Sequence, residues 1–219
     1  MNRPKTVAIV PALNEQETIS GVVKTLRQSP LVDDVVVVTG ASTDKTADLA
    51  RAAGAQILDY PESKGKGQSM IYAVNRSSAP VILFVDADLR GFKIGHIEQL
   101  LMPVLSGSRA MNVGERDKGA LNPISRKMPL ISGERAMKRE VFVGIPEWFL
   151  RGFMVEAALN FYCRSHRLRY GSVFLPGLTM KKKFEKVGWP LAIAQYIKMT
   201  FQVLWAMLVV RAARLVRRF

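Results

Sequence analysis

Short apolar runs alternate with amphipathic segments through the first half of the chain. Residues 6–11 and 35–39 are β-branched runs without helical spacing, as expected of strands buried on both faces of a sheet. Between them, residues 15–28 place apolar side chains at helical intervals. The same alternation continues with strand-like runs at 55–58 and 80–85 and helix-like segments at 44–53 and 67–76. Repeated strand–helix–strand units predict an α/β fold, with a mostly parallel central sheet flanked by helices.

The second half is less regular. Helices are predicted over residues 95–105, 132–141 and 153–164, and strands over residues 109–114 and 170–175. Residues 115–131 are polar and interrupted by proline, which indicates a loop. We expect a single domain over residues 1–188, with a nucleotide-binding half (1–108) and an acceptor half (109–188).

The charge is distributed unevenly over the 219 residues. The chain has 32 basic and 18 acidic side chains and a net charge of +14, yet residues 1–108 hold 11 of each sign. The whole excess therefore lies in residues 109–219. A hydrophobic fraction of 48% excludes a disordered chain, and the lone Cys163 excludes a disulfide framework, which favours a reducing compartment.

A basic half attracts polyanions, but the sequence has no helix-turn-helix, zinc-finger or aromatic RNA-binding motif, so no nucleic-acid partner is predicted. Residues 189–219 suggest another partner. Their uninterrupted apolar stretch, residues 203–210, is far shorter than the ~20 residues of a spanning helix. Arg211, Arg214 and Arg218 lie along one side of the last turns, a pattern typical of an amphipathic helix on an anionic membrane. The alternative is a helix packed on the domain or on a partner subunit, as in a homodimer.

Candidate chemistry lies where the predicted strands end. Segments 11–15, 40–44, 63–67 and 86–88 each follow a strand, and the carboxyl ends of parallel strands meet at one edge, where ligands bind. Asp86 and Asp88 would suit Mg²⁺ or Mn²⁺, which could bridge a diphosphate. Lys64 and Lys66, interleaved with glycines before a helix, would suit phosphate oxygens. The simpler interpretations are a solvated acidic loop, a lysine-rich turn and, for segments 11–15 and 42–44, helix caps.

Together, the four segments resemble the family 2 glycosyltransferases, which have the GT-A fold. The matching motifs are Pro-Ala-Leu-Asn-Glu, a Ser-Thr-Asp turn, Gly-Lys-Gly and Asp-x-Asp, within residues 7–90. The resemblance implies a nucleotide-sugar donor with UDP or GDP, and a divalent metal held by Asp86 and Asp88. It implies a nucleotide site formed by Pro11, Ala12, Leu13, Glu15, Gly40, Lys66, Asp86 and Ala87. The family usually has a carboxylate where this chain has Thr39, so the base is left open.

The second half resembles the family more loosely. The stretch containing Gly133, Glu134 and Arg135 matches a segment under the donor sugar and acceptor in glucosyl-3-phosphoglycerate and polyprenyl-phosphate sugar synthases. Glu156 matches a position that would hold a donor hydroxyl or orient the acceptor. A surface ion pair for Glu134 and a favourable helix-dipole contact for Glu156 are the alternatives. Where several relatives have a histidine metal ligand, this chain has Met180 followed by three lysines at positions 181–183.

The resemblance implies a metal-dependent glycosyltransferase, with Asp88, Glu134 and Glu156 as catalytic residues. We expect a lipid-linked phosphate acceptor at the inner face of the cell membrane, approaching Arg135, Arg151 and residues 181–183. A hydroxyl acceptor would need a general base, for which Glu134 is the candidate. The alternatives are a soluble phosphorylated small molecule or saccharide as acceptor, a nucleotidyltransferase, and a catalytically silent nucleotide- or membrane-binding protein.

Overall fold

The structure, a computed structural model, describes residues 3–40, 42–62, 65–119, 132–150 and 154–180. The strands are β1 (Thr6–Pro11), β2 (Asp34–Thr39), β3 (Gln56–Asp59), β4 (Val81–Phe84), β5 (Leu89–Arg90), β6 (Met111–Arg116), β7 (Arg135–Lys138), β8 (Tyr170–Leu175) and β9 (Thr179–Met180). The helices are α1 (Ile19–Gln28), α2 (Thr46–Ala52), α3 (Lys66–Asn75), α4 (Ile94–Leu105), α5 (Arg139–Val143) and α6 (Met154–Ser165), with a 3₁₀ turn at Glu147–Leu150.

Seven strands form the central sheet, in the order β3-β2-β1-β4-β7-β6-β8, and β5 pairs with β9 beside it. Strands β1 to β4 run parallel, β7 is antiparallel to both its neighbours, and β6 pairs with β8 in parallel. The expected α/β fold with a mostly parallel central sheet is confirmed. Strands from both halves of the chain share this sheet, so the neutral and basic halves form one structural unit.

Two apolar layers cover the sheet. Alternate side chains of β1 and β2 point to opposite faces: Ile9 and Val36 pack with α3, α5 and α6, whereas Val10 and Val37 pack with α1, α2 and α4. β1 lies between β2 and β4, and the helices that follow β1 and precede β4 cover opposite faces of the sheet. In open α/β sheets the ligand crevice lies at the carboxyl edge beside such a strand. Cys163 is buried in one layer, where burial raises the pKa of its thiol to about 12.

Most predicted elements are present with shifted ends, and the strand at 170–175 has the predicted bounds. The helix predicted over residues 132–141 is wrong. Its first part is strand β7, which inserts between β4 and β6 with Ala136 and Met137 fully buried, and helix α5 begins only at Arg139. The good helix formers of this segment are overruled by a place in the middle of the sheet.

The strand predicted over residues 109–114 starts and ends two residues later than expected, so Glu115 and Arg116 belong to β6. Residues 117–119 of the predicted loop follow β6, whereas residues 120–131 of that loop and the predicted tail helix, residues 189–219, lie outside the described residues. Within the described ranges, no helix combines the length and the apolar character that crossing a membrane requires.

Candidate functional site

The loops after β1 and β2 are tied together at the carboxyl edge of the sheet. Ser42 Oγ accepts a hydrogen bond from the Asn14 amide (3.1 Å), and the Asn14 side-chain oxygen accepts one from the Thr43 amide (2.9 Å). The Glu15 amide donates to Thr46 Oγ1 at 2.8 Å. Asn14 adopts a φ of +55°, which asparagine tolerates better than most residues. The motif that begins at Pro11 is thus held by the Ser-Thr-Asp turn, and both motifs line one side of the crevice.

Pro11, Ala12 and Leu13 form the apolar floor of this side of the crevice. Pro11 ends β1, the Ala12 amide donates to the Val38 carbonyl (2.9 Å), and Leu13 leaves 58% of its surface exposed. A large apolar side chain left exposed beside a crevice offers contact area to a ligand ring. The Thr39 hydroxyl points inward and donates to Ser42 Oγ at 3.0 Å. The residues expected at the nucleoside pocket are therefore adjacent in space.

A charged cluster lies on the other side of the crevice, at the ends of β4 and β6. Lys66, the first residue of α3, places its Nζ 2.5 Å from Asp86 Oδ1, and Arg116 Nη1 is 3.4 Å from Asp86 Oδ2. Burial alone would raise the pKa of Asp86, but Lys66 and Arg116 outweigh it and hold that pKa below its ordinary value. Asp86 is thereby kept ionised between two cations.

Glu134 lies beneath this cluster with no exposed surface. Ser132 Oγ donates to its Oε2 at 2.5 Å, and Arg116 Nη1 is 3.6 Å from its Oε1. Burial raises the pKa of Glu134; Arg116 opposes the rise and Asp86 adds to it. A general base must contact the proton that it removes. In this arrangement Glu134 contacts Arg116 and supports the cluster from below, and its role as a general base stays a prediction.

Glu156 is better placed than Glu134 to contact a ligand. It lies in the first turn of α6, with one carboxylate oxygen 3.8 Å from Lys66 Nζ. Its Oε2 is buried and has no hydrogen-bond partner among the described residues. Because an unsatisfied buried acceptor is unfavourable, a donor such as a sugar hydroxyl or a metal-bound water would complete this position.

The structure corrects the prediction that Arg135 meets the acceptor. Arg135 is 1% exposed, and its guanidinium donates to the Ser132 carbonyl (2.7 Å) and to Asn160 Oδ1 (2.8 Å). As the first residue of β7 it points into the layer under α6, where it joins the strand to the helix. Arg135 is a buried support, and a substrate cannot reach it in this arrangement.

Gly133 allows the cluster to close. A Cβ atom built at this position would collide with both carboxylate oxygens of Asp86 and with Lys66 Nζ. Ala87 is buried between Asp86 and Asp88, which are both partly exposed in the turn that follows β4. The predicted residues Lys66, Asp86, Ala87 and Gly133 are therefore brought together.

Arg116 is the site residue that the sequence prediction missed. It is 16% exposed and extends from the end of β6 to Asp86 and Glu134. The missed signal was its position: an arginine at the carboxyl end of a strand falls at the ligand edge, but the strand was predicted to end at Gly114. Of the other predicted residues, Lys64, Arg151 and residues 181–183 lie outside the described ranges.

Comparison with known proteins decides the family. The sequence profile described as glycosyl transferase family 2 matches residues 7–169. The chain belongs to this family. The match includes every predicted site residue from Pro11 to Glu156 and extends past the stretch on which the resemblance was based. The predicted GT-A fold is also confirmed by the solved structures.

Glucosyl-3-phosphoglycerate synthases are among the most similar relatives. The enzyme of Mycolicibacterium smegmatis is 30% identical over 192 residues, which cover 71% of this chain and 63% of that protein. The chain thus matches less than two thirds of that relative's length.

Solved structures of the Mycobacterium tuberculosis synthase superpose on most of the chain. A complex with Mn²⁺, UDP-glucose and phosphoglyceric acid has a TM-score of 0.79 and 25% identity, covering 94% of this chain and 79% of that one. A complex with Mg²⁺ and UDP has a TM-score of 0.78 and 24% identity, with the same coverage.

The acidic residues of this site supply some of the ligands that a divalent cation needs. Asp86 and Asp88 supply the hard oxygen ligands that Mg²⁺ and Mn²⁺ prefer. Four carboxyl groups, those of Asp86, Asp88, Glu134 and Glu156, face Lys66 and Arg116, so the acidic groups are in excess. No group of three or more His, Cys, Asp or Glu side chains is arranged for a metal within the described ranges. The remaining ligands of a bound metal would be water, diphosphate oxygens or residues outside those ranges.

Proposed function

We propose that this protein is a metal-dependent glycosyltransferase that moves a sugar, with glucose as the first candidate, from a uridine diphosphate donor to a soluble phosphorylated small molecule. The observation that carries the proposal is the charged cluster of Lys66, Asp86 and Arg116 beside the loops after β1 and β2. A nucleoside on the apolar side of the crevice would extend its diphosphate toward this cluster. The M. tuberculosis synthase supports the choice of donor, metal and acceptor, since it binds Mn²⁺, UDP-glucose and phosphoglyceric acid.

The charged residues of the site have different roles. Lys66 and Arg116 balance the charge that the diphosphate gains as the bond between the sugar and the phosphate breaks. Asp88, together with Asp86, would hold the divalent cation, which when bound adds Lewis-acid stabilisation of the leaving diphosphate. Glu156 accepts a hydrogen bond from the donor sugar or the acceptor through its Oε2, which has no partner among the described residues. Glu134 and Arg135 position these groups from below.

We favour a soluble phosphorylated molecule as the acceptor, which is the alternative to a lipid-linked phosphate. Glucosyl-3-phosphoglycerate synthases are among the similar relatives, a solved one binds phosphoglyceric acid, and Arg116 offers a partly exposed cation at the site. A lipid-linked acceptor would also be anionic, so the electrostatics of the site suit both. The choice is made by assaying both acceptors.

The proposal is tested by sugar transfer with purified protein and Mn²⁺. UDP-glucose is supplied with 3-phosphoglycerate in one arm and with a polyprenyl phosphate in the other, and the product is measured by mass spectrometry. Transfer in the first arm supports the proposal, and transfer in the second arm alone restores the lipid-linked acceptor. Absence of transfer together with no thermal shift by UDP and Mn²⁺ favours the catalytically silent alternative.

Asp88→Ala should lower the rate of transfer at least about 100-fold, since a bound metal contributes several kcal/mol of transition-state stabilisation. The matched control is Asp48→Ala, because Asp48 lies on the surface of α2, where it pairs with Arg51. Wild-type turnover in the Asp88 variant would contradict the assignment of the metal site.

A further inference from the structure

The nucleoside side of the crevice lacks the carboxylate that the family usually has at the end of β2, where this chain has Thr39. The Thr39 side chain is buried, its hydroxyl is directed at Ser42, and it carries no charge, so Thr39 does not offer the exposed charged acceptor that a carboxylate would. A ligand base that presents hydrogen-bond donors would need an acceptor from another element. The neighbouring strand supplies one.

Asp59, the last residue of β3, lies beside the end of β2. The two strands pair in parallel with Thr39 opposite Asp59, and the next amide, that of Tyr60, donates to the Thr39 carbonyl at 2.6 Å. A Cβ atom built on Gly40 would lie 2.5 Å from Asp59 Oδ1, so the carboxylate packs directly over the Gly40 backbone. Gly40 opens the loop that ends at Asp44, and the Asn14 side chain ties this loop to the exposed Leu13. The Asp59 carboxylate is exposed at the same edge as the apolar floor.

The spacing of the sheet suits this assignment. Neighbouring strands lie about 4.8 Å apart, so the end of β3 is about 14 Å from the end of β4, where Asp86 and Lys66 mark the diphosphate side. A nucleoside that extends from that cluster across β1 places its base over β2 and β3. The Tyr60 ring stacks in parallel on Tyr72, with centroids 4.2 Å apart. The Asp59 carboxylate is an acceptor next to the Gly40 backbone.

We propose that Asp59 recognises the base of the donor nucleotide by accepting a hydrogen bond from the ring N–H of an imide base. This contact replaces the one that a carboxylate at the position of Thr39 would make. This inference rests on the proposed function and deepens it. An ionised carboxylate only accepts hydrogen bonds, so it pairs with N3–H of uracil or N1–H of guanine. Cytosine N3 and adenine N1 carry lone pairs at the same place, and the carboxylate repels them. Asp59 is thus a specificity-determining residue.

The experiment measures the affinity for UDP, CDP and GDP by calorimetry in the presence of Mn²⁺. Asp59→Ala should weaken UDP binding about tenfold, as expected for a hydrogen bond to a charged acceptor. Asp59→Asn should lower the preference for UDP over CDP about tenfold, chiefly by binding CDP more tightly, because the amide can turn its N–H toward cytosine N3. Asp34→Asn is the matched control, since Asp34 is an exposed aspartate at the opposite end of β2.

The outcomes separate the inference from the function on which it rests. Wild-type UDP binding with an unchanged preference for UDP over CDP in both Asp59 variants overturns the inference and leaves the proposed function intact. Wild-type protein that binds none of the three nucleotides overturns both. Stronger binding of GDP than UDP, lost in Asp59→Ala, supports the same contact and identifies guanine as the base. Thermal melting of each variant confirms that it is folded.

Discussion

Single residues set the geometry of the site through close backbone approach. Gly40 adopts a φ of +136°, and a side chain at this position would collide with Tyr60 as well as with Asp59. Both the backbone angle and the space therefore require glycine. The sequence indicated a turn at this position, but the reason for the glycine is a contact with β3, about twenty residues away in the chain.

Gly40→Ala should destabilise the protein by at least about 1–2 kcal/mol, the typical cost of a left-handed backbone angle for a residue with a Cβ atom. It should also weaken UDP binding, because Asp59 and Tyr60 must move. Urea denaturation and calorimetry measure the two effects. The control is Gly21→Ala, since Gly21 lies in α1 with nothing within 4 Å of an added Cβ and should gain stability. Equal stability of the two variants would contradict the prediction.

At the scale of elements, helix α4 is joined to the β8–β9 turn through a buried histidine. His96 Nδ1 accepts a hydrogen bond from the Lys93 amide (3.3 Å), and Nε2–H donates to the Pro176 carbonyl (3.1 Å). These two roles define one neutral tautomer. Burial lowers the pKa of His96 below its ordinary value of 6.5, although the bond to Pro176 opposes the shift. The neutral ring thus holds the start of α4.

Stability should fall as the pH drops below about 6.5, because the unfolded chain then takes up a proton that the folded His96 does not. His96→Gln removes this titration, so the difference in unfolding free energy between wild type and variant should shrink from pH 7.5 to pH 5. Urea denaturation at both values provides the measurement. His166→Gln changes an exposed histidine and serves as the control. A difference that does not vary with pH would refute the role of His96.

At the scale of the whole molecule, strands from the neutral half and from the basic half join one sheet. Residues 1–108 contribute the nucleoside loops and Asp86, whereas Arg116 and Glu156 come from the basic half. The excess positive charge suits an anionic acceptor and an anionic surface. We propose that residues 189–219 form the basic amphipathic helix that the sequence predicts and associate with the inner face of the membrane.

Removal of residues 189–219 should abolish binding to vesicles that contain anionic phospholipid. Neither the full chain nor the shortened chain should bind uncharged vesicles. Flotation of the full chain and of the shortened chain measures this, and binding of the full chain should weaken as salt is added, because salt screens the attraction. Arg211, Arg214 and Arg218 changed together to Gln form a milder variant of the same length. Equal flotation of all forms would contradict membrane binding and favour packing on the domain or a second subunit.

The sequence by itself determined the alternation of strands and helices and the four loops at one edge. Both follow from local periodicity and from the fact that the carboxyl ends of parallel strands converge. Pro11, Gly40, Lys66 and Asp86 lie in these loops, and their roles in ligand binding stay predictions. Only the tertiary structure decided the positions that depend on contacts between distant segments. Strand β7 forms where a helix was predicted, because pairing with β4 and β6 outweighs the helix propensity of the segment. That placement buries Glu134 and Arg135. The same packing brings Arg116 to Asp86 and Asp59 to Gly40, because pairing between strands, which local pattern does not encode, fixes which side chains meet.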